Sequence, residues 1–245
     1  MMAIKMLKKI SLDGYDFIEG FPGAGLVGPM AVSYMINKLK MDYIGYIESD
    51  SFPPLVSIHN AQPMPLVRFY VSQKNKIVTA FSEFAIPLQM VSEMSSTLYD
   101  FVEKGGMSRI YSIGGIPQQP SVQDTVPFAV ASTPKLSKEI DKAGLKPISE
   151  GVSTGVSAML LLKSALNETE NINIMVPIQP NIVDPIYAET ALNYLTKMIG
   201  ITVDMSDLDK EAKIIEAKIK ELLSKHKEVE DEHKKADGAG PSMYA

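Results

Sequence analysis

The sequence predicts an α/β fold, a three-layer α/β/α domain built on a mixed sheet and followed by a C-terminal helical extension. Three observations carry this. Short apolar runs with strand character alternate with segments of helical period from about residue 15 to residue 200. One pair of runs, residues 66–71 and 77–81, flanks Gln73-Lys74-Asn75-Lys76 as an antiparallel hairpin would. At Ser206 the chain turns highly charged, and Leu208, Ala212, Ile215, Ile219, Leu222, His226 and Val229 recur at spacings of four and three.

Taken in order, residues 15–19 read as a strand running into Gly20-Phe21-Pro22-Gly23-Ala24-Gly25. The helix that follows carries Val27, Ala31, Met35 and Leu39 in one row, and residues 43–48 form a second strand. Residues 51–65, with four prolines and His59, read as an irregular loop before the hairpin. Pro87 suits the first turn of a helix whose buried stripe is Leu88, Val91, Leu98 and Val102, ended by Gly105-Gly106. Residues 109–113 form a strand that closes on Gly114-Gly115, with a polar loop at 117–120. Residues 126–132 suit a strand, 134–142 a short helix and 145–149 another strand. The helix after Gly151-Val152-Ser153-Thr154-Gly155 is apolar nearly all round and is expected to be central and buried. Residues 172–178 form a strand, and Asp184 caps a helix with Pro185 at its first position and Tyr187, Ala191, Tyr194, Leu195 and Met198 on one face.

Beyond residue 205, Ser206 and Asp209 suggest a capping box, and Leu208, Ala212, Ile215, Ile219 and Leu222 form an apolar seam. That seam fits either a coiled coil or a helix packed on its own domain; His226 and His233 weaken its second half. The expected organisation is a domain at 1–205, a charged spacer helix at 206–236 and a flexible tail at 237–245. The tail ends in Met243-Tyr244-Ala245. An apolar side chain, an aromatic with a polar tip and a free carboxylate make a small anchor for a partner's pocket, weak singly and strong when several copies act together.

Composition narrows the function. The net charge of −5 provides no basic surplus for nucleic acid. The absence of cysteine removes disulfides and thiolate chemistry, and three histidines leave little for a metal site. Residues 1–10 have no apolar core after their lysines and no run approaches membrane-spanning length, so a cytoplasmic protein without signal peptide, cofactor or metal is expected.

Two motifs suggest chemistry. Gly23-Ala24-Gly25-Leu26-Val27-Gly28 fits the dinucleotide fingerprint, with Glu48 as the ribose acid. Against it, Gly20-Phe21-Pro22 intervenes where a tight turn is needed, and a packing loop is the preferred reading. Gly151-Val152-Ser153-Thr154-Gly155 spells a nucleophile elbow, with Asp184 and His226 as partners, but a small-residue turn is preferred here too. Glu83, Glu93 and Asp124 are scattered carboxylates without an assignable pairing, and His59 reads as a loop histidine.

The run from Glu19 to Gly28, together with Phe52-Pro53-Pro54 and Gly114-Gly115-Ile116-Pro117, resembles the archaeal homologues of the second proteasome assembly chaperone. The resemblance covers most of residues 12–200. It implies a nucleoside-phosphorylase-like α/β fold, no catalysis and self-assembly into homo-oligomers. It makes Gly20, Phe21, Pro22, Gly23, Gly25 and Gly28 a family loop, structural or in contact with a ligand. Some members end in hydrophobic–tyrosine–any, a tail that enters pockets between α-subunits of the proteasome core particle. The resemblance therefore implies a proteasome assembly chaperone or activator-like adaptor docking through Met243, Tyr244 and Ala245. A scaffold for another protein partner and a nucleotide-binding or small-molecule enzyme are the alternatives.

Overall fold

The computed structural model describes residues 2–118, 125–180 and 182–238. The Met243-Tyr244-Ala245 tail therefore lies outside the described residues. The strands are β1 (Ala3–Met6), β2 (Asp16–Gly20), β3 (Asp42–Glu48), β4 (Ser57–His59), β5 (Gln62–Met64), β6 (Val67–Ser72), β7 (Ile77–Ser82), β8 (Arg109–Pro117), β9 (Phe128–Ala131), β10 (Lys146–Pro147) and β11 (Asn171–Ile178). The helices are α1 (Val27–Lys38), α2 (Leu88–Gly105), α3 (Pro134–Ala143), α4 (Gly155–Leu166), α5 (Pro185–Ile199) and α6 (Leu208–Gly238). Nine strands form one mixed sheet in the order β1-β3-β6-β7-β2-β8-β11-β9-β10, with β7, β2, β8 and β11 parallel at its centre.

Alternation along the strands sends side chains to two separate cores. Ile18, Tyr111, Ile113, Ile172 and Ile174 pack beneath α1, α3, α5 and α6. Phe17, Phe69, Val78, Ala80 and Ile110 pack beneath α2 and α4. The predicted three layers are present, as are the β6–β7 hairpin and the Asp184 cap, whose carboxylate accepts from the Ile186 amide at 3.0 Å.

Several expectations are corrected. Residues 51–65 hold the small β4–β5 hairpin, turned at Asn60 and Ala61, both with positive φ, as a two-residue loop of this type requires. The prolines hid it. β8 does not stop at Gly114-Gly115 but continues to Pro117, paired with β11 throughout. Glycine is needed within the strand because a Cβ on Gly115 would lie 2.3 Å from the Ala24 carbonyl oxygen. Pro87 sits one residue before α2, and Leu88 is exposed; the stripe is Met90, Val91, Met94, Leu98 and Val102. The N-terminal strand β1, not expected from the sequence, extends the sheet by pairing with β3.

The largest correction concerns α4. It buries Val156, Leu160 and Ser164 against α2 and the sheet, but its outer side is open. Leu162 is 50% and Leu166 75% exposed, while Val152, just before the helix, is 95% exposed. An all-round apolar pattern marks a helix covered on every side, and nothing among the described residues covers the strip that carries Leu162 and Leu166.

The extension α6 is a 31-residue helix, about 46 Å long. Its seam residues Leu208, Ala212, Ile215, Ile219 and Leu222 are all buried, the first four within the core that includes α1 and α5. The first half of the seam thus packs on its own domain; the positions of His226, Val229 and His233 lie outside the described side chains. Polar contacts fix the root. The Tyr34 hydroxyl donates to the Asp204 carbonyl at 2.6 Å, and also lies 2.9 Å from the Asp207 carboxylate, which pairs with Lys38. Asn37 donates to Glu211 at 2.8 Å. The Ser206 capping box does not form: Ser206 bonds to Asp204, and the Asp207 carbonyl accepts the amides of Lys210 and Glu211.

These contacts generate a prediction. Ile219→Ala should lower the unfolding free energy by about 2–5 kcal/mol, the cost of a core cavity. Ile214→Ala, on the exposed side of α6, should change it by less than about 0.5 kcal/mol. Urea denaturation of both variants reads the difference; equal effects would mean that α6 does not pack through this seam.

Candidate functional site

Among the central parallel strands, β8 and β11 run about four residues past the end of β2. After β2 the family loop passes from the α2/α4 face, where Phe21 is buried, to α1 on the opposite face. Residues 148–154, which lead from β10 into α4, lie opposite that loop. Between these two loops lies a cleft of about 730 Å³, walled by residues 21–24, 113–117 and 148–157.

The loop glycines serve two purposes. A Cβ on Gly20 would lie 2.4 Å from Val32, and one on Gly28 would lie 2.6 Å from the Ile113 carbonyl oxygen. Both glycines therefore let α1 settle directly onto β2 and β8. Gly25 takes φ +68 with Ile178 close by, a conformation that favours glycine. At Gly23, which lines the cleft, a Cβ would meet nothing within 4 Å. Three of these four glycines are explained by packing or backbone alone.

The dinucleotide reading loses its second half. Glu48 lies on β3, three strands from β2 and hence about 14 Å away across the sheet, and it pairs with Lys5 at 3.2 Å. The nucleophile-elbow reading also fails on geometry. Ser153 is exposed and lacks the positive φ of a strained elbow, and Asp184 is engaged as a helix cap.

The sequence did not reveal what lies on the floor of the cleft. Glu19 on β2, Ser112 on β8 and Asn173 on β11 sit side by side in register, all on the α2/α4 face. Glu19 is fully buried. Its Oε2 accepts from the Ser157 hydroxyl at 2.8 Å, whereas Oε1 has no partner; Asn173 Oδ1 is likewise unpartnered. Burial pushes the Glu19 carboxyl up to about 7, with the Ser157 and Ser112 hydroxyls and the Phe21 amide opposing the shift.

A second buried cluster pairs residues that seemed isolated in the sequence. Glu83 Oε2 lies 2.8 Å from Arg68 Nη2, 2.8 Å from the Ser57 hydroxyl and 2.9 Å from His59 Nε2. Despite burial, the hydrogen bond from His59 and the Arg68 charge hold the Glu83 carboxyl below its ordinary range. Serine, histidine and glutamate here do not make a triad: Ser57 and Glu83 both approach the same ring nitrogen, so no proton can be relayed across the ring. The cluster instead anchors the β4–β5 hairpin. On its other side, Lys218 of α6 donates to the Ile58 carbonyl. Glu93 accepts from the Met2 amide at 2.8 Å; Asp124 lies outside the described residues. Among the described residues, no cluster suits a metal ion, and no helix is long and apolar enough to cross a membrane.

Glu19 yields a pH prediction. Its folded pKa is raised, so the folded protein binds more protons than the unfolded chain between about pH 4.5 and 7, and stability falls as pH rises through that window. Glu19→Gln lacks this dependence. The stability of the variant relative to the parent should therefore rise by about 3 kcal/mol between pH 4.5 and pH 8. Denaturant titrations at the two pH values read it; a constant difference would mean that the carboxyl is hydrated.

Comparison with known proteins fits this architecture. The chain is 31% identical over 221 residues to the uncharacterized protein MJ0106 of Methanocaldococcus jannaschii, covering 89% of each. It resembles the crystal structure of Pyrococcus furiosus PbaA, an archaeal homolog of proteasome-assembly chaperone, with TM-score 0.80, 27% identity, and 94% of this chain and 100% of that one covered. Pyrococcus furiosus PbaB, an archaeal proteasome activator, shares the fold with TM-score 0.74 at 23% identity, covering 91% of this chain and 98% of its own. The PAC2 family model matches residues 17–223, from the second residue of β2 into the buried half of α6, and the chain belongs to the PAC2 family.

Proposed function

We propose that this chain is a non-enzymatic, homo-oligomeric proteasome-binding protein of the cytoplasm, an assembly chaperone or activator-like adaptor. In this reading residues 1–205 build the oligomer, 206–236 act as spacer, and 237–245 dock. Met243, Tyr244 and the Ala245 carboxylate enter pockets of the core-particle α-ring. The observation that carries the reading is the likeness to PbaA along nearly the whole chain, α6 included.

Two physical features agree with it. α6 is rooted on α1 by the Tyr34 and Lys38 contacts and by its buried seam, then continues to Gly238, roughly 24 Å beyond Leu222. A rooted helix fixes where its far end lies, which is what several tails meeting several pockets at once require. The open apolar side of α4, with Leu162 and Leu166 one turn apart, suits contact with another copy of the chain. No Lys or Arg among the described residues lines the cleft, which speaks against a nucleotide phosphate there.

The test is a pull-down with purified proteasome core particle, using the parent chain, Tyr244→Ala and a chain lacking Met243-Tyr244-Ala245, after all three are shown to have the same oligomer mass. The parent should bind, and both variants should bind at least tenfold more weakly. Equal binding by the variants would overturn tail docking; binding by none would favour a scaffold for a different protein.

A further inference from the structure

Among the described residues two carboxylates are buried, and they are treated differently. Glu83 meets an internal cation, Arg68, and both side chains are almost wholly buried. Glu19 is buried just as deeply, yet among the described residues no Lys or Arg pairs with it. A buried carboxylate is stable when paired and hydrogen-bonded; one left half-satisfied at the floor of an open cleft lacks a partner that the chain does not supply.

The cleft defines what that partner is. Glu19 Oε1 and Asn173 Oδ1 are both unpartnered and both accept hydrogen bonds, so the complementary group is a hydrogen-bond donor. Charged residues on the wall are Glu19 and Glu150, with no cation among the described lining, so the field favours positive charge and opposes anions. The first turn of α4 lies over Glu19 through Ser157, so the positive end of that helix is already answered by the carboxylate and does not create an anion site. Farther out, Ile116, Val130, Leu161 and Met175 make the walls apolar. A volume of about 730 Å³ lies within the range of small-molecule sites.

We propose that this cleft binds a small organic cation, an amidine, guanidine or primary amine carried on an apolar body, with Glu19 as its counter-ion. The head group donates to Glu19 Oε1 and is steadied by Asn173, while the body lies against the apolar walls. The open position at Gly23 leaves the family loop free to line the ligand. The site is independent of the tail and of proteasome docking.

Three probes sharing one ring test it by charge: benzamidine, benzamide and benzoate, titrated calorimetrically into the full chain at pH 7.5. Benzamidine should bind saturably at one site per chain, benzamide at least tenfold more weakly, and benzoate not at all. Glu19→Gln should weaken benzamidine at least tenfold. Amide chemical-shift mapping on the parent chain keeps the test decisive whatever the variant does: shifts should centre on residues 19, 112, 157 and 173. Non-saturable binding of benzamidine, equal binding of benzoate, an unaffected Glu19→Gln variant, or shifts centred elsewhere would each overturn the proposal.

Discussion

The structure depends on the close approach of the glycine loop and α1 to the carboxyl ends of the central strands. Gly28 faces the Ile113 carbonyl, Gly115 faces the Ala24 carbonyl and Gly20 faces Val32, each at a distance that a methyl group would violate. Because two of these contacts set backbone against backbone and the third sets the Gly20 backbone against the stiff, branched side chain of Val32, the position of α1 is set rigidly. α1 in turn supplies Tyr34, Asn37 and Lys38, which hold the root of α6. The same loop forms one wall of the cleft over Glu19. Extension and cleft therefore share a foundation, on opposite faces of the sheet.

This arrangement separates the two kinds of burial in the molecule. On the α1/α5/α6 face, burial is apolar and continuous, and the α6 seam simply adds a layer to it. On the α2/α4 face, the apolar core stops short of the carboxyl edge, where a polar row takes over beneath the cleft. The outer side of α4 remains uncovered beside it. The face that carries unfinished polar and apolar surface is where contacts with other molecules are physically favoured.

Much of this was legible in the sequence because period and punctuation agreed. The row from Val27 to Met35, the Gln73–Lys76 turn and the Asp184-Pro185 cap each combine a periodic pattern with a stop or start signal. The α6 seam was legible too, but periodicity alone does not say whether a stripe faces its own domain or another chain; the Tyr34–Asp207 contact decides that, and it joins residues far apart in sequence. The β4–β5 hairpin escaped because proline discourages a strand reading and Ala61 is an unusual turn residue. α4 misled for a physical reason, since all-round hydrophobicity reports covering by something without saying by what. The Glu19–Ser112–Asn173 row was invisible because each residue is one polar interruption in an apolar strand, and only the sheet register places them together. A lone acid directly before Gly20-Phe21-Pro22, at the end of a buried strand, was the signal available.

The most direct measurement compares Gly28→Ala with Gly23→Ala by equilibrium denaturation. If the family glycines are a packing device, Gly28→Ala should lose several kcal/mol, since its Cβ would lie 2.6 Å from a backbone carbonyl that cannot move aside cheaply. Gly23→Ala, with open space at that position, should remain within about 1 kcal/mol of the parent. Equal tolerance at both positions would contradict the close approach on which α1, α6 and the cleft all rest.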